Sequence, residues 1–262
     1  MPAFVARRSL LAAVALLGLV ASPVLGQDDV PVIAVAANLE FAVTEIADQF
    51  RAETGLQVRL SFGSTGNIAR QIRQGAPYEV FLAADDATPL DLHAAGFTHD
   101  PGAVFAVGRI VLAAPHGSPI DVQAGLAGIS GLLAAGQIVR FAIANPDHAP
   151  FGIAAREALV AKGLWEDVQP FLVQGENVSQ AAAFALSGNA DGGIIAYSLA
   201  LAPQVARQGT FALIPQDWHS ALHQRMVLLH SAGPTAKAFY AYMADPAARV
   251  ILARYGFAMP EE

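Results

Sequence analysis

Between Val32 and Gly96 the chain alternates between short apolar runs and longer stretches of helical spacing, and that alternation restricts the fold more than any other feature. Val32-Ile33-Ala34-Val35-Ala36 reads as a short buried strand. Phe41 to Phe50 reads as a helix, with Phe41, Ile46 and Phe50 near one face, closed by Thr54-Gly55. Val58 to Phe62 alternates like a second strand, Gly63 to Asn67 makes a turn, and Ile68 to Gln74 continues as a helix ended by Gly75. Val80 to Ala83 is a third strand, and Pro89 to Ala95 a helix ended by Gly96. The order β-α-β-α-β-α is that of a mainly parallel sheet covered by helices.

The pattern repeats further on. Val104 to Ala114 is a longer apolar segment broken at Gly108-Arg109, and Pro115 to Pro119 marks a loop or boundary. Strands are then expected at Val139–Ala144, Phe171–Val173, Gly192–Ala196 and Arg225–Leu229. Helices are expected at Ile153–Ala161, Ser179–Leu186, Ala236–Met243 and Pro246–Arg254. Such a repetition predicts two α/β lobes.

The N-terminus has a different logic. Arg7-Arg8 precede an uninterrupted apolar run from Leu10 to Val20, and small residues up to Gly26 lead into the polar Gln27-Asp28-Asp29. This is the order of a secretory signal peptide over residues 1–26, too short to span a bilayer. Its loss would leave 236 residues and shift the formal charge from −7 to −9, because the segment carries two arginines and no acid. An acidic balance argues against a nucleic-acid partner, which needs a basic surface. With no cysteine there are no disulfides, thiolate metal sites or cysteine nucleophiles.

Enzyme signatures are sparse. Neither a phosphate-binding G-x-x-x-x-G-K-[ST] nor a G-x-S-x-G nucleophile motif occurs. His219 and His223 have i,i+4 spacing but no acid of an H-E-x-x-H motif between them, so no cation ligands are assigned. Asp85-Asp86, between the third strand and a helix, reads as a helix cap before it reads as an acid–base pair.

The strand-to-helix junctions carry a different chemistry. Ala36-Ala37-Asn38, Gly63-Ser64-Thr65-Gly66-Asn67 and Asn145 to Gly152 each lead into a helix. Helix N-termini expose unpaired N–H groups and partial positive charge, and ligands of open α/β sheets bind beyond the carboxyl ends of the strands. Asn38, Ser64 and Thr65 offer neutral donors, whereas no Lys or Arg stands at the centre of any junction; Arg70 and Arg156 come later. Hydroxyls and amides suit a small dehydrated oxyanion. Taken singly, Asn38 and Ser64 also suit plain helix caps.

Several runs resemble the periplasmic molybdate-binding proteins of ABC transporters. They are Val35 to Leu39, Ser61 to Asn67, the long run Gln71 to Asp85 with its Gly75-Ala76-Pro77, Ala144 to Gly152, Glu176-Asn177-Val178, and the tail from Ala238 to Phe257. The matches run in order over residues 32 to 257. The resemblance implies a two-lobed type II periplasmic binding fold, each lobe a mainly parallel sheet flanked by helices, with the ligand in the cleft. Placed on this chain, it divides the sequence into lobe 1 (27–106 plus 224–262) and lobe 2 (107–223).

It also implies a ligand set: Ala37 and Asn38, Thr65 with Ser64 beside it, and the backbone N–H groups of Phe151 and Val178. Many members place a tyrosine where Ala196 stands; here Tyr197 follows one residue later, and in a strand that shift reverses the side chain's face. The implied function is capture of molybdate or tungstate for a membrane permease of an ABC importer. The implied protein is periplasmic, monomeric, free of cofactor and not an enzyme. Another oxyanion or small solute (sulfate, phosphate, ferric ion, an organic acid held by Arg70 or Arg109) is the alternative reading. An exported hydrolase using Asp85 or Asp86 with a histidine is a more distant one.

Overall fold

The computed structural model describes residues 30–260, so the expected signal peptide lies outside the described residues. The first strand, β1 (Val32–Ala36), passes through a 3-10 turn at Ala37–Leu39 into α1 (Glu40–Thr54). The helix forms because Ala42, Val43, Ile46 and Phe50 share one buried face, and it stops at Gly55, whose left-handed φ of 74° returns its N–H to Arg51. Then come β2 (Arg59–Gly63), α2 (Thr65–Arg73), β3 (Tyr78–Leu82), α3 (Ala87–Ala94) and β4 (Ala103–Gly108). After the single residue Arg109 the chain enters β5 (Ile110–Pro115). It continues through α4 (Ile129–Ala134), β6 (Phe141–Ala144), α5 (Pro150–Ala161), α6 (Trp165–Val168), β7 (Leu172–Gly175), α7 (Val178–Leu186), β8 (Gly192–Ala196), α8 (Tyr197–Ala200), α9 (Pro203–Ala206) and β9 (Gly209–Leu213). The last elements are β10 (Leu222–Leu228), α10 (Pro234–Tyr242) and α11 (Pro246–Arg254).

These strands form two five-stranded sheets of matching design, ordered β2-β1-β3-β10-β4 and β7-β6-β8-β5-β9. In each, three neighbouring strands pair in parallel and the fourth, β10 or β5, runs antiparallel to both its neighbours. The sheets are therefore mixed, with four of five strands pointing one way. The chain crosses between them at Arg109 and again between Leu213 and Leu222.

Strand β1 shows why the sheet is central. Ile33, Ala34 and Val35 are wholly buried, as expected of a strand covered on both faces. Ile33 and Val35 join the large core, while Ala34 joins a second cluster with Ile68, Ile72, Phe81 and Leu92 under α2 and α3. Among the described residues no helix is long and apolar enough to cross a membrane.

Candidate functional site

Strand register assembles the site. Ala36 pairs with Gly63, and Val35 with Leu82, so β1, β2 and β3 end level with one another. The segments that follow, around Asn38, Ser64-Thr65 and Ala84, therefore share one edge of the first sheet. In the second sheet Ala144 pairs with Gly175, and Asn145 N–H extends the ladder to Gly175 O at 2.8 Å. That brings the starts of α5 and α7 together, and the two edges face each other across the cleft.

A small cavity lies where they meet, lined by Ala37, Asn38, Thr65, Phe151, Asn177 and Val178, among others, and by no charged side chain. Its volume is about 10 Å³, far below the roughly 300–1,000 Å³ of sites for drug-sized ligands, so it excludes organic ligands of that size. Two larger grooves lie elsewhere on the surface. One runs beside Phe41 and Ala183, the other beside Gln123 and Phe211.

The lining is rich in donors. At Ser64 and Ala149, the residues capping α2 and α5, no side chain accepts a first-turn N–H; α7 is capped, Asn177 Oδ1 accepting from Gln180 N–H at 3.1 Å. First-turn N–H groups and the positive ends of three helix dipoles thus converge on one space. Thr65 is 1% exposed, and its hydroxyl oxygen accepts the Ala84 N–H at 3.0 Å, which leaves the hydroxyl hydrogen to donate. Asn38 is equally buried; its Nδ2 donates to Gln224 Oε1 at 2.9 Å and its Oδ1 has no partner among the described residues. Asn38 lies inside the 3-10 turn and does not cap α1; Ser64 holds the N-cap position of α2, but its hydroxyl makes no capping hydrogen bond there.

Ser64 stands beside the cavity, with its Oγ 2.9 Å from His148 Nδ1 across the cleft. Gly66 N–H donates to His148 O at 3.0 Å, and a Cβ on Gly66 would lie 2.7 Å from that same oxygen, so only glycine allows the two lobes this approach. Asn67 Nδ2 also reaches across to Glu176 Oε1, and Ser179 Oγ donates to Ala37 O at 3.0 Å. Ser64, His148 and Glu176 superficially resemble a hydrolytic triad. However, the imidazole and carboxylate are 3.7 Å apart, and Glu176 is held by Asn67. His148→Ala is expected to weaken ligand binding by about 0.5–1.5 kcal/mol, the net worth of one hydrogen bond, or roughly 2–12-fold by titration calorimetry.

Other expected groups are placed elsewhere. Tyr197 opens α8, outside the cavity lining. Its N–H donates to Arg109 O at 2.9 Å, the Arg109 guanidinium lies 4.7 Å over its ring, and Phe211 meets the ring edge-on. Arg109 itself donates to Gly256 O, and Arg70 to Asn67 Oδ1, so neither arginine forms a clamp for an organic acid in this cavity. His219 follows a short 3-10 turn and His223 lies in β10, so their spacing does not set them on one helix face. No metal-holding group of three His, Cys, Asp or Glu occurs among the described residues.

Asp86 holds the N-cap position of α3 but pairs with Arg225, and it is Asp85 that holds the first turn, accepting Thr88 N–H at 2.7 Å and the Thr88 hydroxyl at 3.0 Å. Burial raises the Asp85 carboxyl above the usual range, against the pull of those hydrogen bonds. A raised carboxyl contributes stability at acid pH that is lost as pH rises through its folded value. Asp85→Asn should accordingly raise Tm at pH 7, with the gain shrinking as pH falls through the carboxylate range.

Gln224, Ser198, His148 and Ala84 are the site groups that sequence reading missed. Gln224 stands one residue before the strand expected at Arg225–Leu229, where no local pattern marks it, and it is fully buried.

Two mixed α/β lobes joined by two crossovers, closing over a small donor-lined cavity, define a two-lobed solute-binding protein. The sequence matches the family model described as bacterial extracellular solute-binding protein over residues 31–258, and the chain belongs to that family, one of binding proteins rather than enzymes. It is 36% identical to the molybdate-binding protein ModA of Azotobacter vinelandii over 230 residues, covering 87% of this chain and 89% of the relative. It is also 36% identical to ModA of Rhodobacter capsulatus, covering 86% and 87%. Among solved structures, the Azotobacter vinelandii periplasmic molybdate-binding protein superposes with a TM-score of 0.79 at 28% identity, covering 88% of this chain and all of that one.

Proposed function

We propose that this chain captures molybdate, or the nearly isosteric tungstate, outside the cytoplasm and delivers it to the membrane permease of an ABC importer. The observation that carries the reading is the cavity: small, between two lobes, lined by uncharged donors and no charged side chain. The relatives named for molybdate binding supply the ion.

In this reading the oxyanion accepts from the Thr65 hydroxyl, from Asn38 Nδ2 and from the N–H groups of Phe151 and Val178. Ala37 shapes the wall and Ser64 supports from beside it; Tyr197 is left out. The two lobes close over the ion as rigid bodies about the crossovers at Arg109 and Leu213–Leu222; the expected bounds (lobe 1 at 27–106 plus 224–262, lobe 2 at 107–223) cut into β4, which runs to Gly108, and β10, which starts at Leu222. The mature protein is a periplasmic monomer freed of residues 1–26, and it needs no cofactor. At a mature charge of −9 the protein's overall field opposes an anion, so the affinity must come from these local dipoles and donors. Selection against sulfate follows from size: shorter bonds leave the same donors stretched.

A thermal-shift panel on the purified mature protein tests this. Molybdate and tungstate at 100 times their Kd should stabilise it by about 2.7 kcal/mol, while sulfate and phosphate at equal concentration leave Tm almost unmoved. Equal stabilisation by sulfate would overturn the reading.

A further inference from the structure

Buried Gln224 has a single possible orientation. Its Nε2 donates to Leu222 O at 3.0 Å and to Ala84 O at 3.3 Å, which uses both hydrogens. Turning the amide over would set Oε1 against two carbonyl oxygens. Its Oε1 must therefore face Asn38, and Asn38 must answer with Nδ2, at 2.9 Å. The backbone supports this placement. Met226 pairs with Leu82 in the antiparallel β10–β3 ladder, which carries Gln224 just past the end of β3, opposite Ala84. A register shift between Gln224 and Arg225 interrupts the β10–β4 ladder at this same point, a device that re-aims a side chain. From the second lobe, Ser198 Oγ donates to Asn38 O at 2.7 Å and holds the backbone of the same residue.

This arrangement leaves Asn38 Oδ1 buried, without a partner among the described residues, in a residue that lines the cavity. An orphaned buried acceptor is costly, and asparagine could relieve it by turning its amide if nothing prevented that. We propose that Gln224 is a positioning residue that locks the Asn38 amide as a donor: it reserves the second Nδ2 hydrogen for the oxyanion and excludes the flipped state, in which a carbonyl oxygen would face the anion. The Ala84 peptide coordinates both halves of the device. Its N–H fixes Thr65, leaving that hydroxyl free to donate, and its C=O fixes Gln224. The inference rests on the oxyanion reading above and adds to it the group that sets the polarity of the site.

A double-mutant cycle tests the lock, with molybdate affinity read by calorimetry and the Tm of the ligand-free protein read alongside. Gln224→Met should weaken binding about tenfold. In the Asn38→Ala background the same change should cost less than about twofold, because there is no amide left to orient. Wild-type affinity in Gln224→Met, or losses that multiply in the double mutant, would overturn the proposal.

Should Gln224→Met not fold, side-chain amide spectra of the wild-type protein decide. Both Gln224 Nε2 protons should exchange slowly, and one Asn38 Nδ2 proton should shift when molybdate is added. Gln224 protons that exchange like those of a surface glutamine would refute the lock. A wild-type protein indifferent to molybdate refutes the ligand reading instead, while the slow exchange of Gln224 still reports on the lock.

Discussion

Thr65→Ala is expected to lower molybdate affinity by about 1–3 kcal/mol, roughly 5–150-fold, and Asn38→Ala by a similar amount. Each change does two kinds of damage. Thr65→Ala removes a hydroxyl whose hydrogen is free to donate, and it strips the buried Ala84 N–H of its acceptor. Asn38→Ala removes the amide and leaves Gln224 Oε1 without its donor. Such losses exceed the net worth of a hydrogen bond, because the surviving partner stays buried with no water to replace it. Thr65→Ser keeps the hydroxyl and should bind within a few-fold of wild type, whereas Thr65→Val keeps the shape and should behave like Thr65→Ala. Titration calorimetry on the four variants separates chemistry from packing. Unchanged affinity in both alanine variants would remove these residues from the site.

The second large effect is expected from a methyl group. Gly152 lies in the first turn of α5, next to Phe151, and a Cβ there would stand 2.3 Å from Ala144 O and 2.8 Å from Asn145 C. These are backbone atoms of β6 and its loop, and they cannot swing aside. Gly152→Ala should therefore push the start of α5 off the sheet and cost about 3 kcal/mol, at the upper end of overpacking penalties. For a domain of this size that is a fall of roughly 6–12 °C in Tm. Affinity should fall with it, since the Phe151 N–H rides on the displaced turn. Gly131→Ala in α4 provides the contrast. Its Cβ would meet nothing within 4 Å, so it should be neutral or stabilising, as alanine for glycine in a helix usually is. Differential scanning calorimetry of the two variants checks the pair.

Much of the fold was legible because burial leaves a periodic mark. The strand expected at Gly192–Ala196 and the helix expected at Pro246–Arg254 have those bounds in the structure. Helix starts were less legible. The turn read at Gly63–Asn67 is in fact the last residue of β2 followed by the cap and first turn of α2, which begins at Thr65, and the loop read to Gly152 already contains the first turn of α5 from Pro150. Gly, Ser, Thr and Pro favour loops and helix N-termini alike, so composition cannot separate the two. The apolar segment Val104–Ala114 proved to be two strands in two different sheets. Hydropathy reports that a residue is buried and says nothing of which sheet buries it. Strand β9 and the short helices α8 and α9 left no periodic signal long enough to read.

The sequence by itself determined the alternation of strands and helices, the neutral donors at the junctions and the absence of a cationic clamp among them. These are local properties, set by residue type and spacing. Only the tertiary structure decided which donors converge. Parallel register levels the strand ends; closure then sets Gly66 against His148 O, and one buried glutamine, brought from the far end of the chain, fixes the direction of Asn38. Tyr197, adjacent in sequence to the expected slot, lies outside the cavity lining, whereas Gln224, 186 residues from Asn38, stands behind the lining and accepts a hydrogen bond from Asn38. Contacts across such separations depend on how two sheets meet, and no local pattern in the chain encodes that.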